Sequence, residues 1–366
     1  MDTLLTGTGG AGGWPQPGCR CASCLRAGAT GIRRRPGGVR VDGLLEFRPG
    51  QPATQGTGSA APAAHRIDAV PGGWDVTGPD GARLLLAAGP GQVPQPPAGA
   101  APYDIALLDL LTSPAQLGWL RSAGLVIAQT AVAALYTDHR VSSAAEFARR
   151  CGLWGVSQGE DGQVIAGPTR SERADARPRR TLIIGGARSG KSTEAELRLC
   201  GEPAVTFLAA GPWREWTGAD GGPDTEWAAR VARHQARRPG FWQTVETLDI
   251  ASQLRRPTGT LLIDGIGTWL AGVMDEAGLW QDRDGAAAGA DPADRVRARI
   301  DDLVGAWRQT AALIVAVTDD VGSGLVPAYP AGRVFRDELG WLNQRLAAES
   351  ELVLHLVAGR VTALPG

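Results

Sequence analysis

Lysine is nearly absent from this 366-residue chain: of its 37 basic residues, 36 are arginine and one, Lys191, is lysine. A chain that uses arginine wherever a positive charge will serve keeps lysine where a guanidinium would not fit. Basic excess is also missing, since the formal net charge is -1. Nothing is then available to neutralise a polyanion, and neither nucleic acid nor an anionic membrane is expected as a partner. No stretch is long and apolar enough to span a bilayer, and the opening "MDTLLTGTGGAGGWPQ" lacks a basic start followed by an apolar run. Neither membrane insertion nor a leader is expected, and a soluble cytoplasmic protein is the default. Cysteine is scarce: three of five crowd into "CRCASC", while Cys151 and Cys200 lie far away. That spacing gives no disulfide framework and, in a reducing compartment, reads as free thiols or a metal site.

What is present supports two domains, because 366 residues with 43% hydrophobic content can bury more than one core. The first hundred residues are rich in Pro, Gly and Ala, with strand-like runs such as "RLLLAAG" and "YDIALLDLL". Helical patterning follows in "SPAQLGWLRSAG" and "SSAAEFARRCGLWG". The polar, arginine-rich stretch 167–180 has no apolar period and reads as a linker between a domain at 1–166 and another at 181–366. Beyond it, "TLIIGG", "AVTFLAAG", "TLLIDGIG", "AALIVAVTDD" and "ELVLHLV" are the short apolar runs that a parallel sheet covered on both faces requires. The second domain is therefore expected to be α/β, mostly parallel, with helices on both faces.

"GGARSGKS", Gly185 to Ser192, matches G-x-x-x-x-G-K-[ST] between a strand and a helix-forming "STEAELRL". Gly185 and Gly190 permit the turns that aim successive amide N–H groups inward, and the helix presents its positive end to a phosphate. Lys191 would reach the β- and γ-phosphates as a point charge, and the Ser192 hydroxyl would ligate Mg2+. Asp264, closing the strand in "TLLIDG", is the expected partner for that ion or its water. The loop does not choose a reaction by itself.

The rest of the second half does. "IIGGARSGKSTEAE", "AARVARHQARRP", "LLIDGIGTWLAGVM", "VGSGLVP" and "GRVFRDELGWLNQRLA" occur in an order that resembles the bifunctional adenosylcobinamide kinase / adenosylcobinamide-phosphate guanylyltransferase family over residues 181 to about 362. The resemblance implies a P-loop NTPase-type fold and two reactions. One phosphorylates the aminopropanol hydroxyl of adenosylcobinamide with a nucleoside triphosphate, ATP or GTP. The other places GMP from GTP on an enzyme histidine, releases pyrophosphate, and passes GMP to adenosylcobinamide phosphate to give adenosylcobinamide-GDP. The matching histidine is His234; a neutral imidazole is a competent nucleophile at phosphorus, and nearby Arg233, Arg237 and Arg238 suit the charge that builds there. Nucleotide contacts carry over to Gly185, Gly186, Ala187, Arg188, Ser189, Gly190, Lys191 and Ser192, to Ala209, Ala210 and Gly211, to Gln235, Ala236, Arg237 and Arg238, and to Glu246 and Asp264. The family also implies a homo-oligomer built through this domain. The chain departs from the family pattern at Asp319 and Asp320 in "TDD", where the pattern is Ser/Thr-Asn-Glu, at Gly265, where it often has Cys, and in the long segment "GPWREWTGADGGPD". A different class of reading keeps the loop but makes the chain a nucleotide-dependent regulatory or assembly module; His234 discriminates, since a switch needs no covalent nucleophile.

The first half, with "TGTGGAGGWPQPGCRCASCLRA", resembles the opening of metallo-β-lactamase-fold phosphodiesterases and implies a shortened α+β relative of that fold. An acidic residue often stands there at one of the places filled by Ala87 and Ala88. The metal motif H-x-H-x-D-H finds its best counterpart in "ALYTDH", where Ala134 and Tyr136 replace two histidines while Asp138 and His139 match. A two-metal hydrolytic site needs several His and Asp ligands, so the domain is expected to be catalytically degenerate. Cys19, Cys21 and Cys24 offer three thiolates to a structural Zn2+, with the fourth ligand left open among His65, His139 and Cys151.

Overall fold

The computed structural model describes residues 1–55, 65–167, 177–210, 229, 232, 235–236, 238–256, 259–279 and 291–366. The chain divides into two compact units, Met1–Asp175 with Cys200–Pro203, and Ala176–Leu199 with Ala204–Gly366.

The first unit is a two-sheet structure. One sheet has the order β11-β1-β2-β3-β4, built from β1 (Asp2–Gly7), β2 (Gly38–Val41), β3 (Leu45–Phe47), β4 (Thr54–Gln55) and β11 (Val164–Ala166). The other has the order β10-β9-β8-β7-β6-β5, from β5 (Arg66–Val70), β6 (Gly73–Thr77), β7 (Arg83–Ala87), β8 (Ile105–Leu108), β9 (Ala131–Ala134) and β10 (Ser157–Gln158). Leu5, Val39, Val41 and Phe47 of the first sheet share one core with Val76, Leu84, Leu86, Ile105 and Leu107 of the second. Inward residues of both sheets thus leave water together, which is what holds two such layers face to face. Three helices complete the unit: α1 (Ala22–Ala29), α2 (Ala115–Ser122) and α3 (Ala144–Trp154). Two of them are capped by side chains. The Cys21 thiol accepts from the Cys24 amide at the start of α1. Ser143 caps α3 at the Glu146 amide, and Gly155 ends it in the left-handed region at φ 63°.

The second unit carries one seven-stranded sheet of order β14-β13-β15-β16-β12-β17-β18. Its strands are β12 (Arg180–Gly185), β13 (Val205–Ala209), β14 (Gln243–Glu246), β15 (Thr260–Asp264), β16 (Leu313–Asp319), β17 (Leu352–Val357) and β18 (Arg360–Leu364). All neighbours pair in parallel except the β17–β18 hairpin. Arg180, placed by sequence at the end of the linker, is already in the strand, where its guanidinium and amide are tied to Glu351 at 2.7 Å. Residues 168–176 of the expected linker lie outside the described residues.

Alternating residues of these strands face opposite ways, and both faces are covered. On one face α4 (Lys191–Leu199) packs Ala195 and Leu199 with Ile183, Phe207, Leu262, Val315 and Leu356. The other face, with Leu182, Leu208, Ile263, Ile314 and Ala316, lies under α5 (Ile250–Arg255), α6 (Ile266–Glu276), α7 (Pro292–Gln309) and α8 (Pro330–Ala348). Each fully buried Leu or Ile contributes about 1.5–3 kcal/mol, which is why the central strands read as unbroken apolar runs. The long helix α7 has its start written in sequence: Asp291 caps it, Pro292 occupies the first turn and Asp294 follows. No helix among the described residues is long and apolar enough to cross a membrane.

Candidate functional site

The parallel register brings the carboxyl ends of the strands of the second unit to one edge. Gly185 stands opposite Asp319 and Leu356, Ala209 opposite Glu246 and Asp264, and Asp264 opposite Val317. Ligands of open parallel sheets bind beyond this edge, where strand order reverses; here the first strand, β12, lies between β16 and β17 rather than beside its successor.

From that edge the chain turns through residues 186–190 into α4. A Cβ at Gly185 would lie 2.6 Å from the Leu356 carbonyl oxygen and 2.8 Å from Ser189 Oγ. Only glycine allows the strand end to approach both. Arg188 and Gly190 take positive φ, 57° and 101°, the kind of backbone that forms an anion-binding concavity of amides. The β17–β18 turn holds the loop from outside, with the Gly359 amide donating to the Ser189 carbonyl at 2.9 Å. Ser189 Oγ is buried and finds no partner among the described residues.

Lys191 opens α4 and is 8% exposed. Its ammonium donates to the Gly186 carbonyl at 2.8 Å and lies 3.0 Å from Asp319 Oδ1. The next residue, Ser192, donates its hydroxyl to Asp264 Oδ1 at 3.1 Å. Two hard oxygen donors at that separation, beside a phosphate-shaped loop, are a donor set that suits Mg2+. Asp319 is itself fixed by α8: Thr318 Oγ1 donates to Asn343 Oδ1 at 2.6 Å, and Asn343 Nδ2 donates to the Asp319 carbonyl at 3.1 Å. Sequence reading noticed Asp319 only as a departure from a pattern. Its pairing with Lys191, and the Asn343 clamp, depend on the β12–β16 register, which no local signal reveals.

Of the remaining candidates, Ala209 and Glu246 end strands on the same edge. Ala209 and Ala210 are buried at the end of β13, and Glu246 is exposed at the end of β14. Gln235 and Ala236 are exposed helical residues. The Arg238 guanidinium lies over the Phe207 ring, 3.4 Å from its centroid, and donates to Thr244 Oγ1 at 3.5 Å; it is packed on the sheet rather than in the loop. His234, Arg233, Arg237 and Gly211 lie outside the described residues.

The first unit holds a second constellation. Cys19, Cys21, Cys24 and His139 each offer one ligand atom, and all four atoms lie within 4.8 Å of one another. Four donors around one tetrahedral ion stand about 3.3–3.8 Å apart when each is 2.0–2.3 Å from it. Of the three fourth ligands left open by sequence, only His139 is there. His65 Nε2 instead meets Asp42 Oδ2 at 2.7 Å, and Cys151 is buried in α3, where burial pushes its thiol up to about 12. The Nδ1 atom of His139 is buried without a partner among the described residues. Within the cluster the Cys24 amide, donating to Cys21 Sγ at 3.4 Å, lowers the Cys21 thiol, while burial pushes Cys24 up to about 11. A divalent cation would draw both protons away.

The neighbouring "ALYTDH" places its other members elsewhere. Ala134 ends β9, and Asp138 is paired with the Arg140 guanidinium at 2.8 Å. Tyr136, buried and at φ 61°, donates its hydroxyl to the Ala87 carbonyl at 2.9 Å. Burial pushes its phenol well above its ordinary value.

Residues 181–364 match the family model described as cobinamide kinase / cobinamide phosphate guanyltransferase. Among curated proteins, the bifunctional adenosylcobalamin biosynthesis protein CobP of Pseudomonas aeruginosa is 34% identical over 193 residues, covering 51% of this chain and 98% of its own length. The bifunctional adenosylcobalamin biosynthesis proteins CobU of Escherichia coli and Salmonella typhimurium are 32% and 35% identical, each over 49% of this chain and 95% of their own length. With such relatives covered nearly end to end, and with the strand, loop, lysine and carboxylate in place, the chain belongs to the cobinamide kinase / cobinamide phosphate guanyltransferase family through its second unit.

Proposed function

We propose that the second unit phosphorylates adenosylcobinamide and then converts adenosylcobinamide phosphate to adenosylcobinamide-GDP, in the cytoplasm and as a homo-oligomer. The carrying observation is the loop itself: the sole lysine of the chain buried at the start of α4, beside Ser192 and Asp264. In the kinase step the amides of residues 186–190 and the Lys191 ammonium hold the β- and γ-phosphates of the donor triphosphate. Ser192 and Asp264 would hold Mg2+, which supplies charge neutralisation at those phosphates. The aminopropanol hydroxyl takes the γ-phosphoryl group and the nucleoside diphosphate leaves.

In the transferase step a nitrogen of His234 attacks the α-phosphorus of GTP; the bond to the bridging oxygen breaks and pyrophosphate departs. The phosphate of adenosylcobinamide phosphate then attacks the same phosphorus and frees the imidazole. Dividing one transfer into two in this way is a general strategy for difficult displacements. The experiment is incubation of the protein with GTP labelled at the α-phosphate. An acid-labile, base-stable adduct is expected in the wild type and absent in His234→Asn. No adduct, or an undiminished one in the variant, would overturn the guanylyltransferase assignment.

For the first unit we propose a shortened metallo-β-lactamase-like fold that has lost hydrolysis and kept a structural Zn2+ on Cys19, Cys21, Cys24 and His139. Two observations favour it. The four donors converge, and the places where the resemblance expects metal ligands meet as a tyrosine hydroxyl on an alanine carbonyl, Tyr136 on Ala87. Neither group ligates a hydrolytic metal.

A further inference from the structure

Beside the phosphate loop of this chain stands an acid that a phosphate must contend with. Lys191 is the one lysine in the sequence, and it lies 3.0 Å from the Asp319 carboxylate. The side chain of Asp319 is partly exposed, but its backbone is fixed in the sheet. Its residue ends β16 opposite Gly185 in the sheet. Its carbonyl is held by Asn343, the adjacent Asp320 amide donates to the Gly185 carbonyl at 3.1 Å, and its Oδ2 lies against Gly267, where a Cβ would come within 3.0 Å. The backbone that carries the carboxylate is thus tied to the same edge as the loop and the lysine. Asp264, at the end of the next strand, is a second carboxylate on that edge.

This has an electrostatic consequence. An ammonium paired with the Asp319 carboxylate attracts a bare polyphosphate less than a free one would, and the charge of Asp319 repels that polyphosphate at close range. A divalent cation reverses the sign, since it neutralises the phosphates and gives the carboxylates a counter-charge. We propose that Asp319 makes phosphate binding in this loop conditional on a divalent cation. It pairs with Lys191 in the empty loop and weakens binding of the bare triphosphate relative to its metal complex. The inference rests on the loop being the triphosphate site, as proposed above. It extends that reading by assigning Asp319 a positioning and selecting role.

The test measures nucleotide affinity, not turnover. ATP binding to the full-length protein is titrated calorimetrically in excess Mg2+ and again in EDTA, for the wild type, Asp319→Asn, Asp319→Ala and Lys191→Ala. Both Asp319 variants are expected to tighten metal-free binding by about tenfold, from the loss of one close repulsive charge. Their affinity for the Mg2+ complex should move by less than about threefold. Two substitutions are needed because an asparagine amide can donate to a phosphate oxygen, whereas alanine cannot; tightening by asparagine alone overturns the proposal. Unchanged metal-free affinity, or an equal shift with and without Mg2+, overturns it too. Lys191→Ala separates this from failure of the underlying reading: it should weaken binding in both conditions, and wild-type affinity in that variant means that the loop is not the triphosphate site.

Discussion

At the scale of single residues, the site depends on a few side chains whose partners are far away in sequence. Asn343 is the clearest. It sits on α8, yet its amide closes two hydrogen bonds at the end of β16, one from Thr318 and one to the carbonyl of Asp319. Thr318 is fully buried, so its hydroxyl would have no water to turn to. Asn343→Ala leaves both groups unpaired and is expected to cost about 1–3 kcal/mol. The measurement is urea unfolding, with a lower midpoint at unchanged slope; a midpoint equal to wild type would show that the clamp is dispensable. Lys191 is the opposite case, since its rarity alone marked it, and its position at the start of α4 was readable from the loop motif. What could not be read was its partner. Asp319 lies 128 residues away by number (319 less 191), and only the pairing of β12 with β16 brings the two together.

At the scale of elements, legibility follows burial on both faces. β12, β13, β15, β16 and β17 of the second unit were apolar runs in the sequence because helices cover the sheet front and back. β7 and β8 of the first unit share that property, with all but one of their residues buried. β5, by contrast, has no buried residue among "RIDAV", and β3 and β4 are three and two residues long between turns. Such strands carry no period to detect; their existence is decided by the neighbour they pair with. Helices with caps are easier. α3 showed its helical pattern in "SSAAEFARRCGLWG", and in the structure Ser143, Glu146 and Gly155 mark its start and end. The Ser143 hydroxyl accepts from the Glu146 amide at 3.1 Å. Ser143→Ala is therefore expected to destabilise the protein by about 1 kcal/mol, and Ser143→Asp to restore the loss. Thermal unfolding followed by circular dichroism reads both, and an undiminished midpoint in the alanine variant would remove the cap from the account.

At the scale of the whole molecule, the two units make separate claims on function. The curated relatives are covered over 95–98% of their own length by about half of this chain, and residues 181–364 match the family model, so the family has a full-length counterpart in the second unit. Among the described residues, the cysteine and histidine cluster that could hold a metal ion lies in the first unit. Loss of the ion should accordingly weaken folding of one unit while the chemistry of the other persists. Purified wild-type protein is expected to contain close to one equivalent of zinc by mass spectrometry of the metal, and a double variant, Cys21→Ser with Cys24→Ser, close to none. Structural zinc contributes directly to folding, so the variant should show an earlier unfolding transition. Its rate of labelling by GTP carrying a labelled α-phosphate should stay within about twofold of wild type, as independent sites normally behave. Zinc retained in the variant would place the ion elsewhere. Labelling that disappears together with the zinc would mean that the first unit supports the transferase after all, and that its cysteine cluster acts on chemistry performed by the other half of the chain.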